Sequence, residues 1–354
     1  MQSTNLFNPP PRRWFSAARI GAAGVAFILA GCASRQPDVT GPEAAIRALT
    51  GHPLAGPDQA ETLAPGVTFL DGLTEEESVA MALWSQPNFR AALAGLGISR
   101  ARMIEAGQLV NPSLSMLFPV GPKQLEFAVN LPVQALWLRP RRVAIADFDY
   151  RQLARRLVQN GLDTRRDVRV GFVDAWRMAE LRRFLDSRAR VRNEIAELQM
   201  ERLKIGALSE REATQARIDS ATAAQAATRA AHEVVAADQR LRLLVALEFW
   251  KEPIDWRYQA PDLIGSLPEE TLIRGALAAR PDLRAAELMI EGNGLRAGLA
   301  RSEIYSAIAV IDANGTGGDF EIGPGLNLAL PIFNRNEGRI EGAKALLRKS
   351  VLDY

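Results

Sequence analysis

One cysteine and two histidines in 354 residues leave little for thiol or metal chemistry. A single thiol excludes an intrachain disulfide framework. With His52 and His232 its only imidazole companions, Cys32 cannot seed a zinc finger or Cys/His metal cage. Aromatic residues make up only 6% of the chain, which suits Ala-rich helices better than a β-sandwich. No apolar run reaches the ~18–20 residues that a membrane-spanning helix needs. Charge of neither sign dominates: 43 Lys and Arg face 41 Asp and Glu, a net of +2. Three of those cations, Arg12, Arg13 and Arg19, lie in residues 1–31, which hold no acid, so the rest of the chain sits at −1. Nucleic-acid binding driven by phosphate neutralisation is therefore not expected. There is no G-x-S-x-G, no P-loop and no cluster of potential ligands, so no catalytic, metal or cofactor site is expected. Gly292-Asn293-Gly294 lies in a helical stretch and not after a strand, so it is no dinucleotide fingerprint.

What the chain does have begins with a targeting segment. Arg12-Arg13 precedes the uncharged core Ile20–Ala30, which ends in Leu29-Ala30-Gly31-Cys32. Small residues before a cysteine fit a signal-peptidase site. The four residues resemble the lipobox of bacterial lipoproteins, which implies a signal peptide over 1–31, cleavage before Cys32 and covalent acyl chains such as palmitate on it. Each buried CH₂ contributes ~0.8 kcal/mol to such an anchor. Residues 32–73 follow as a lipidated tether. Gly41 to Gly72 carries Pro42, Pro53, Pro57 and Pro65 with little periodicity and reads as extended, with His52 alone in it.

An internal repeat organises the remainder. A shift of 194 sets residues 75–92 on 269–286 with eight identities and no gap, among them Glu75-Glu76 on Glu269-Glu270 and Pro87 on Pro281. Farther on, Leu131-Pro132-Val133 matches Leu330-Pro331-Ile332, and Arg142 matches Arg339. The expected division is a first copy over 74–247, a linker over 248–268, and an incomplete second copy over 269–354, which stops short of a full repeat.

Each copy reads helix, hairpin, helix. Thr74 and Glu77 form a capping box, and Asn111-Pro112 ends the first helical stretch. The period then changes to two. Leu125, Phe127, Val129 and Leu131 alternate with Glu126, Ala128 and Asn130, while Ile322, Leu326, Leu328 and Leu330 alternate with Glu321, Asn327 and Ala329. Hairpins are expected over 113–135 and 304–333. Four such strands have about the length a tilted membrane strand needs, but they cannot close on themselves, so several protomers must share a barrel. From Arg142 to Ile205 there is no proline. Leu181, Phe184, Val191, Ile195, Leu198 and Ile205 fall on alternating three- and four-residue steps, a coiled-coil period. Gly206 breaks that helix, and Ser209 with Glu212 caps the Ala-rich return to about Leu247. The fold class is mainly α with β-hairpins: long helical coiled-coil hairpins plus four strands for a shared transmembrane β-barrel.

These stretches together resemble the TolC-like outer membrane efflux proteins. The resemblance rests on Leu73–Pro112, Arg202–Ser209, Ala279–Ala286 and Leu330–Gly338. The last, with its Pro331-Ile332-Phe333-Asn334-Arg335-Asn336-Glu337-Gly338, is most similar to the CzcC-type heavy-metal branch. The resemblance implies a homotrimer in the outer membrane, extending into the periplasm. It implies a passive exit duct for divalent heavy-metal cations, joined to an inner-membrane pump through a periplasmic adaptor. Adaptor contact maps onto Arg202, Leu203, Gly206, Leu208 and Ser209. Glu126, Asn130, Glu321 and Asn327 map onto the pore lining. Two other readings stay open: a duct for drugs or small solutes, and a coiled-coil envelope lipoprotein that forms no channel.

Overall fold

The computed structural model describes residues 40–54, 63–69, 72–118, 120, 125–258, 268–316 and 319–354. Cys32 and the whole 1–31 segment lie outside the described residues. In chain order the elements are α1 (Thr40–Thr50), β1 (Leu73–Thr74), α2 (Glu75–Ser85), α3 (Pro87–Gly107), β2 (Ser113–Leu117) and β3 (Leu125–Leu131). Then come α4 (Gln134–Lys204), α5 (Glu210–Leu244), β4 (Trp256–Arg257), α6 (Glu269–Ala279), α7 (Pro281–Ser302), β5 (Ser306–Thr316), β6 (Asp319–Ala329) and α8 (Glu337–Leu352). No helix among the described residues is long and apolar enough to cross a membrane.

The chain divides into two compact units. One comprises residues 100–147 and 292–348 and carries the sheet β2-β3-β5-β6, antiparallel throughout. The central pair, β3 with β5, joins one hairpin from each copy of the repeat. The other unit comprises 38–99, 148–291 and 349–354. Its core is built from Leu73, Val79, Leu83, Leu157, Val168, Phe172, Leu241, Val245 and Leu288, each at most 1% exposed.

The repeat sets the lengths of its elements. α2 and α6 each span 11 residues, and Pro87 and Pro281 each open the helix that follows. Proline suits that place because the first turn of a helix has no partner for its N–H groups. The Thr74–Glu77 capping box forms: the Glu77 amide donates to Thr74 Oγ1, and the Thr74 amide donates to the Glu77 carboxylate at 2.9 Å.

Two expectations need correction. Residues 40–50 are helical, not extended. Pro42 stands in the first turn, and Gly51 closes the end at φ +79 with its amide donating to the Arg47 carbonyl, the proline-start and glycine-stop arrangement of a short helix. Ile46, 1% exposed, anchors it against Gly161, where the first side-chain carbon would meet Ile46 at 3.4 Å. Second, the long helix starts at Gln134, ahead of Arg142, and holds Pro140 inside it. That proline forfeits one bond, to the Leu136 carbonyl, in the second turn, where little helix precedes the break. The stripe Leu181, Phe184, Val191, Ile195, Leu198 and Ile205, for which the period named no partner, is not the contact between α4 and α5. All six are 39–79% exposed. α5 turns Ala213, Ala223, Ala227, Ala230 and Ala237 inward, all buried, and α4 buries Ala175 and Ala196. Methyl side chains let the two backbones approach closely, so the small face wins the intrachain contact and the large face is left bare.

Candidate functional site

The four-stranded sheet has two unlike faces. Directly paired residues on antiparallel strands point to the same side. Pairing sets Glu126 opposite Asn314 and Asn314 opposite Glu321, so two carboxylates from different copies flank one amide in a row across three strands. Asp312, which accepts a hydrogen bond from Asn314 Nδ2 at 2.8 Å, and Asn130 lie in adjacent rows of that face, and Asn327 pairs with Ile308 on it. Leu117, Val310 and Ile308 interrupt its polarity. The opposite face has rows Met116–Phe127–Ala313–Ile322 and Leu114–Val129–Ile311–Pro324, followed by Leu131–Ala309–Leu326 and Ala307–Leu328. Ile322, Leu326 and Leu328 are 72, 62 and 54% exposed. Among the described residues β2 and β6 each pair on one side only, so both edges of the sheet are open.

All four residues expected to line a pore therefore share one face, although 195 positions separate Glu126 from Glu321. No group of three or more His, Cys, Asp or Glu that could hold a metal ion occurs among the described residues. The row is a polar surface and not a ligand cage.

The second candidate is the turn between α4 and α5. The Ala207 amide donates to the Arg202 carbonyl at 2.9 Å, and the Gly206 amide to Leu203 at 2.9 Å, with Gly206 at φ +72. These two bonds are a Schellman motif, in which the residue just past the helix takes the left-handed conformation that favours glycine. Ser209 then caps α5. Glu212 donates its amide to Ser209 Oγ and accepts from the Ser209 amide at 3.1 Å. The Ser209 hydroxyl and amide beside Glu212 hold its carboxyl below the usual range. Arg202, Gly206 and Ser209 are exposed, and Leu203 and Leu208 half-buried. Ile205 is 79% exposed and Leu198 64%, so the tip presents apolar side chains between fixed backbone ends.

Sequence reasoning missed a charged clamp. His52 is not alone: its Nε2 lies 3.1 Å from Glu76 Oε2. Arg165 and Arg169 of α4 reach Glu76 Oε1 at 3.3 and 3.2 Å, and Arg169 Nε also meets Glu75. Partial burial of Glu76 works against its ionisation, but the bond from His52 and the two guanidiniums outweigh it and lower its pKa. The signal was the acidic pair at the start of α2; its arginine partners lie about 90 residues away and no local pattern points to them. The linker holds a second fixed point. Arg242, 7% exposed, binds Asp238 at 2.7 Å and donates to the carbonyls of Trp250 and Glu252, while Trp256 Nε1 donates to Asp238 at 2.8 Å. β4 then pairs in parallel with β1. Both networks are structural joints. His232 is exposed on α5 with no role in either.

No protein-family model matches the sequence, and no curated protein matches it. Solved structures do. The outer membrane protein VceC of Vibrio cholerae superimposes with a TM-score of 0.62 at 17% identity, over 78% of this chain and 74% of that one. The outer-membrane channel OprN gives 0.64 at 18%, over 79% and 69%. The CmeC outer membrane channel of Campylobacter jejuni gives 0.59 at 16%, over 80% and 67%. The chain has the fold of these outer membrane channel proteins.

Proposed function

We propose that this chain is one protomer of an outer-membrane exit duct in a tripartite efflux system, fed by an inner-membrane pump through a periplasmic adaptor. The observation that carries the reading is the four-stranded sheet: one exposed apolar face, one face with the Glu126–Asn314–Glu321 row, and two open edges. Open edges are costly in hydrocarbon, where no water pairs their N–H and C=O groups, so neighbouring protomers must complete the pairing. Three protomers give twelve strands, with the apolar face toward lipid and Glu126, Asn130, Glu321 and Asn327 toward the lumen. The exposed stripe from Leu181 to Ile205 supports the same assembly, because it offers large apolar side chains to a neighbouring helix. The duct performs no chemistry and holds no cofactor beyond the lipid on Cys32.

The proposed cargo is divalent heavy-metal cations. The Pro331–Gly338 stretch supports it by resemblance, and the carboxylate row supports it by charge, since weakly held cations pass along a surface that attracts without caging them. The adaptor docks at the tip, on Arg202, Leu203, Gly206, Leu208 and Ser209. Conductance of the purified chain in planar bilayers tests the duct: cation-selective steps are expected, with selectivity reduced by Glu126→Gln and Glu321→Gln together. Absence of any conductance from membrane-assembled trimers would falsify it. Fatty-acid labelling of the chain, lost in Cys32→Ser, tests the anchor.

A further inference from the structure

The linker after α5 returns to α4 and leaves a cleft of about 510 Å³ between the two helices and residues 253–258. A volume in that range suits one small organic molecule. Part of its wall is the joint already described, in which Arg242 holds Asp238 and the carbonyls of Trp250 and Glu252, and the Trp256 indole donates to Asp238. Phe172 packs edge-on to Trp256 in the buried core. None of those contacts involves Trp176, one turn farther along α4.

Trp176 and Tyr258 lie face to face at 4.2 Å and 18°. Trp176 lines the cleft and stays 37% exposed, so the indole offers ring surface to it. The face of an aromatic ring carries the negative part of its quadrupole. The charged groups of the cleft add to the same sign. Once Asp238 and Arg242 neutralise each other, Glu180 and Asp255 stand against Arg183 alone. Glu180 is one turn beyond Trp176 on the same helical face. It meets Arg183 in a pair whose side chains are 43 and 74% exposed, and exposed pairs hold weakly. The Asp255 carbonyl accepts from the Leu73 amide at 2.8 Å, which fixes its backbone, while its carboxylate has no partner among the described residues.

We propose that this cleft is a binding site for a small organic cation, a quaternary ammonium group carried on a flat apolar body. The cation lies over the Trp176 ring, the aromatic face that attracts positive charge best. Glu180 balances that charge from the helix and Asp255 from the linker, while Val234, Val235 and Ile254 receive the apolar body. Arg183 opposes the ligand by its sign and holds Glu180 until the cation takes its place. The Arg242–Asp238 joint fixes the wall before anything binds, so little ordering is left to the binding step. The inference stands on one compact unit of the chain and not on the duct reading.

The probe is phenyltrimethylammonium, titrated onto the full chain in a non-ionic detergent and followed by saturation transfer to its N-methyl protons. Saturable binding is expected, with tert-butylbenzene, the neutral molecule of the same shape, held about tenfold more weakly. Trp176→Ala should weaken the cation about tenfold, and Trp176→Phe, which keeps a ring of weaker negative face, should fall between. Glu180→Gln with Asp255→Asn should weaken the cation several-fold and leave tert-butylbenzene unchanged, and Arg183→Ala should tighten the cation. Neither carboxylate is buried, so the paired change leaves folding intact and carries the test even where Trp176→Ala unfolds the chain. Three results overturn the proposal: no saturable binding of the cation to the unaltered chain, equal binding of the cation and tert-butylbenzene, or cation affinity indifferent to both Trp176→Phe and the paired carboxylate change. The signal needs no ion conduction, so failure here leaves the duct reading standing, and absence of conductance leaves this site standing.

Discussion

Phe172 and Phe184 lie twelve residues apart on the same helix and in opposite surroundings. Phe172 is fully buried, edge-on to Trp256 at 6.0 Å and 88°, in the unit core. Its neighbour Gly171 leaves no room for a side chain, since a first carbon there would meet Leu244 at 2.8 Å. Phe184 is 64% exposed, on the stripe that α5 does not cover. A long helix in this chain therefore carries two apolar surfaces with different owners. The one closed within the chain is lined by alanines along α5 and by a few large side chains where the linker crosses. The one left open carries the large side chains in heptad order.

Substitution at the two phenylalanines tests that division directly and carries the largest expected effect. Phe172→Ala should cost about 3–5 kcal/mol, through lost burial and the cavity left behind. Phe184→Ala should change the stability of an isolated protomer by no more than about 0.5 kcal/mol while reducing the trimer fraction in sedimentation. Equal loss of protomer stability at both positions, followed by thermal unfolding in detergent, would erase the distinction.

The two faces of the sheet offer the next comparison. Leu328→Arg should cost ~2–4 kcal/mol of membrane assembly if that face meets hydrocarbon. Asn327→Arg, one residue away and on the other face, should assemble normally and alter ion selectivity. Folding into vesicles, read by heat-modifiable mobility, separates the two.

The ends of the helical hairpin give a smaller contrast. α4 and α5 both close with the same pair of bonds; at the second end the Leu247 amide donates to Arg242 at 2.8 Å, but Ala246 and not glycine takes the left-handed place at φ +58. A residue with a Cβ pays roughly 1–2 kcal/mol there. Gly206→Ala should therefore destabilise by about 1 kcal/mol and Ala246→Gly should stabilise by a similar or smaller amount. Matching signs in urea titrations would mean that backbone strain at Ala246 has been relieved another way.

The clamp at Glu76 predicts the smallest effect. Its folded-state pKa is lowered, chiefly by the His52 bond and the Arg165 and Arg169 charges acting against burial. A depressed carboxyl contributes stability that is full above its unfolded pKa and is lost as pH falls through the lower folded value. Stability should thus decline below about pH 4.5, the ordinary glutamate range, and Glu76→Gln should flatten that decline. An unchanged acid limb in the variant would show that Glu75 and other carboxylates carry it.

Local patterns reached far into this molecule because each rests on bonds between near neighbours. The Thr74 and Ser209 caps, the Gly206 stop, the two hairpins and the shared face of Glu126 and Glu321 all follow from period, capping and turn chemistry, and the repeat put α6 in register with α2. The same kind of signal was present for α1 in Pro42 and Gly51, where a run of prolines masked it. The outer membrane channel fold was legible in the order of several weak motifs, none decisive alone. What the sequence could not decide was ownership. Period shows that a stripe is apolar, but not whether the neighbour that covers it is α5, another protomer or a separate helix. The alanine face of α5 won the intrachain contact because short side chains permit the closer approach. Glu75 and Glu76 have Arg165 and Arg169 folded back upon them, whereas Glu270 is met by Arg274 of its own helix. Such choices depend on distances between residues about 90 positions apart, and only the folded chain brings those residues together.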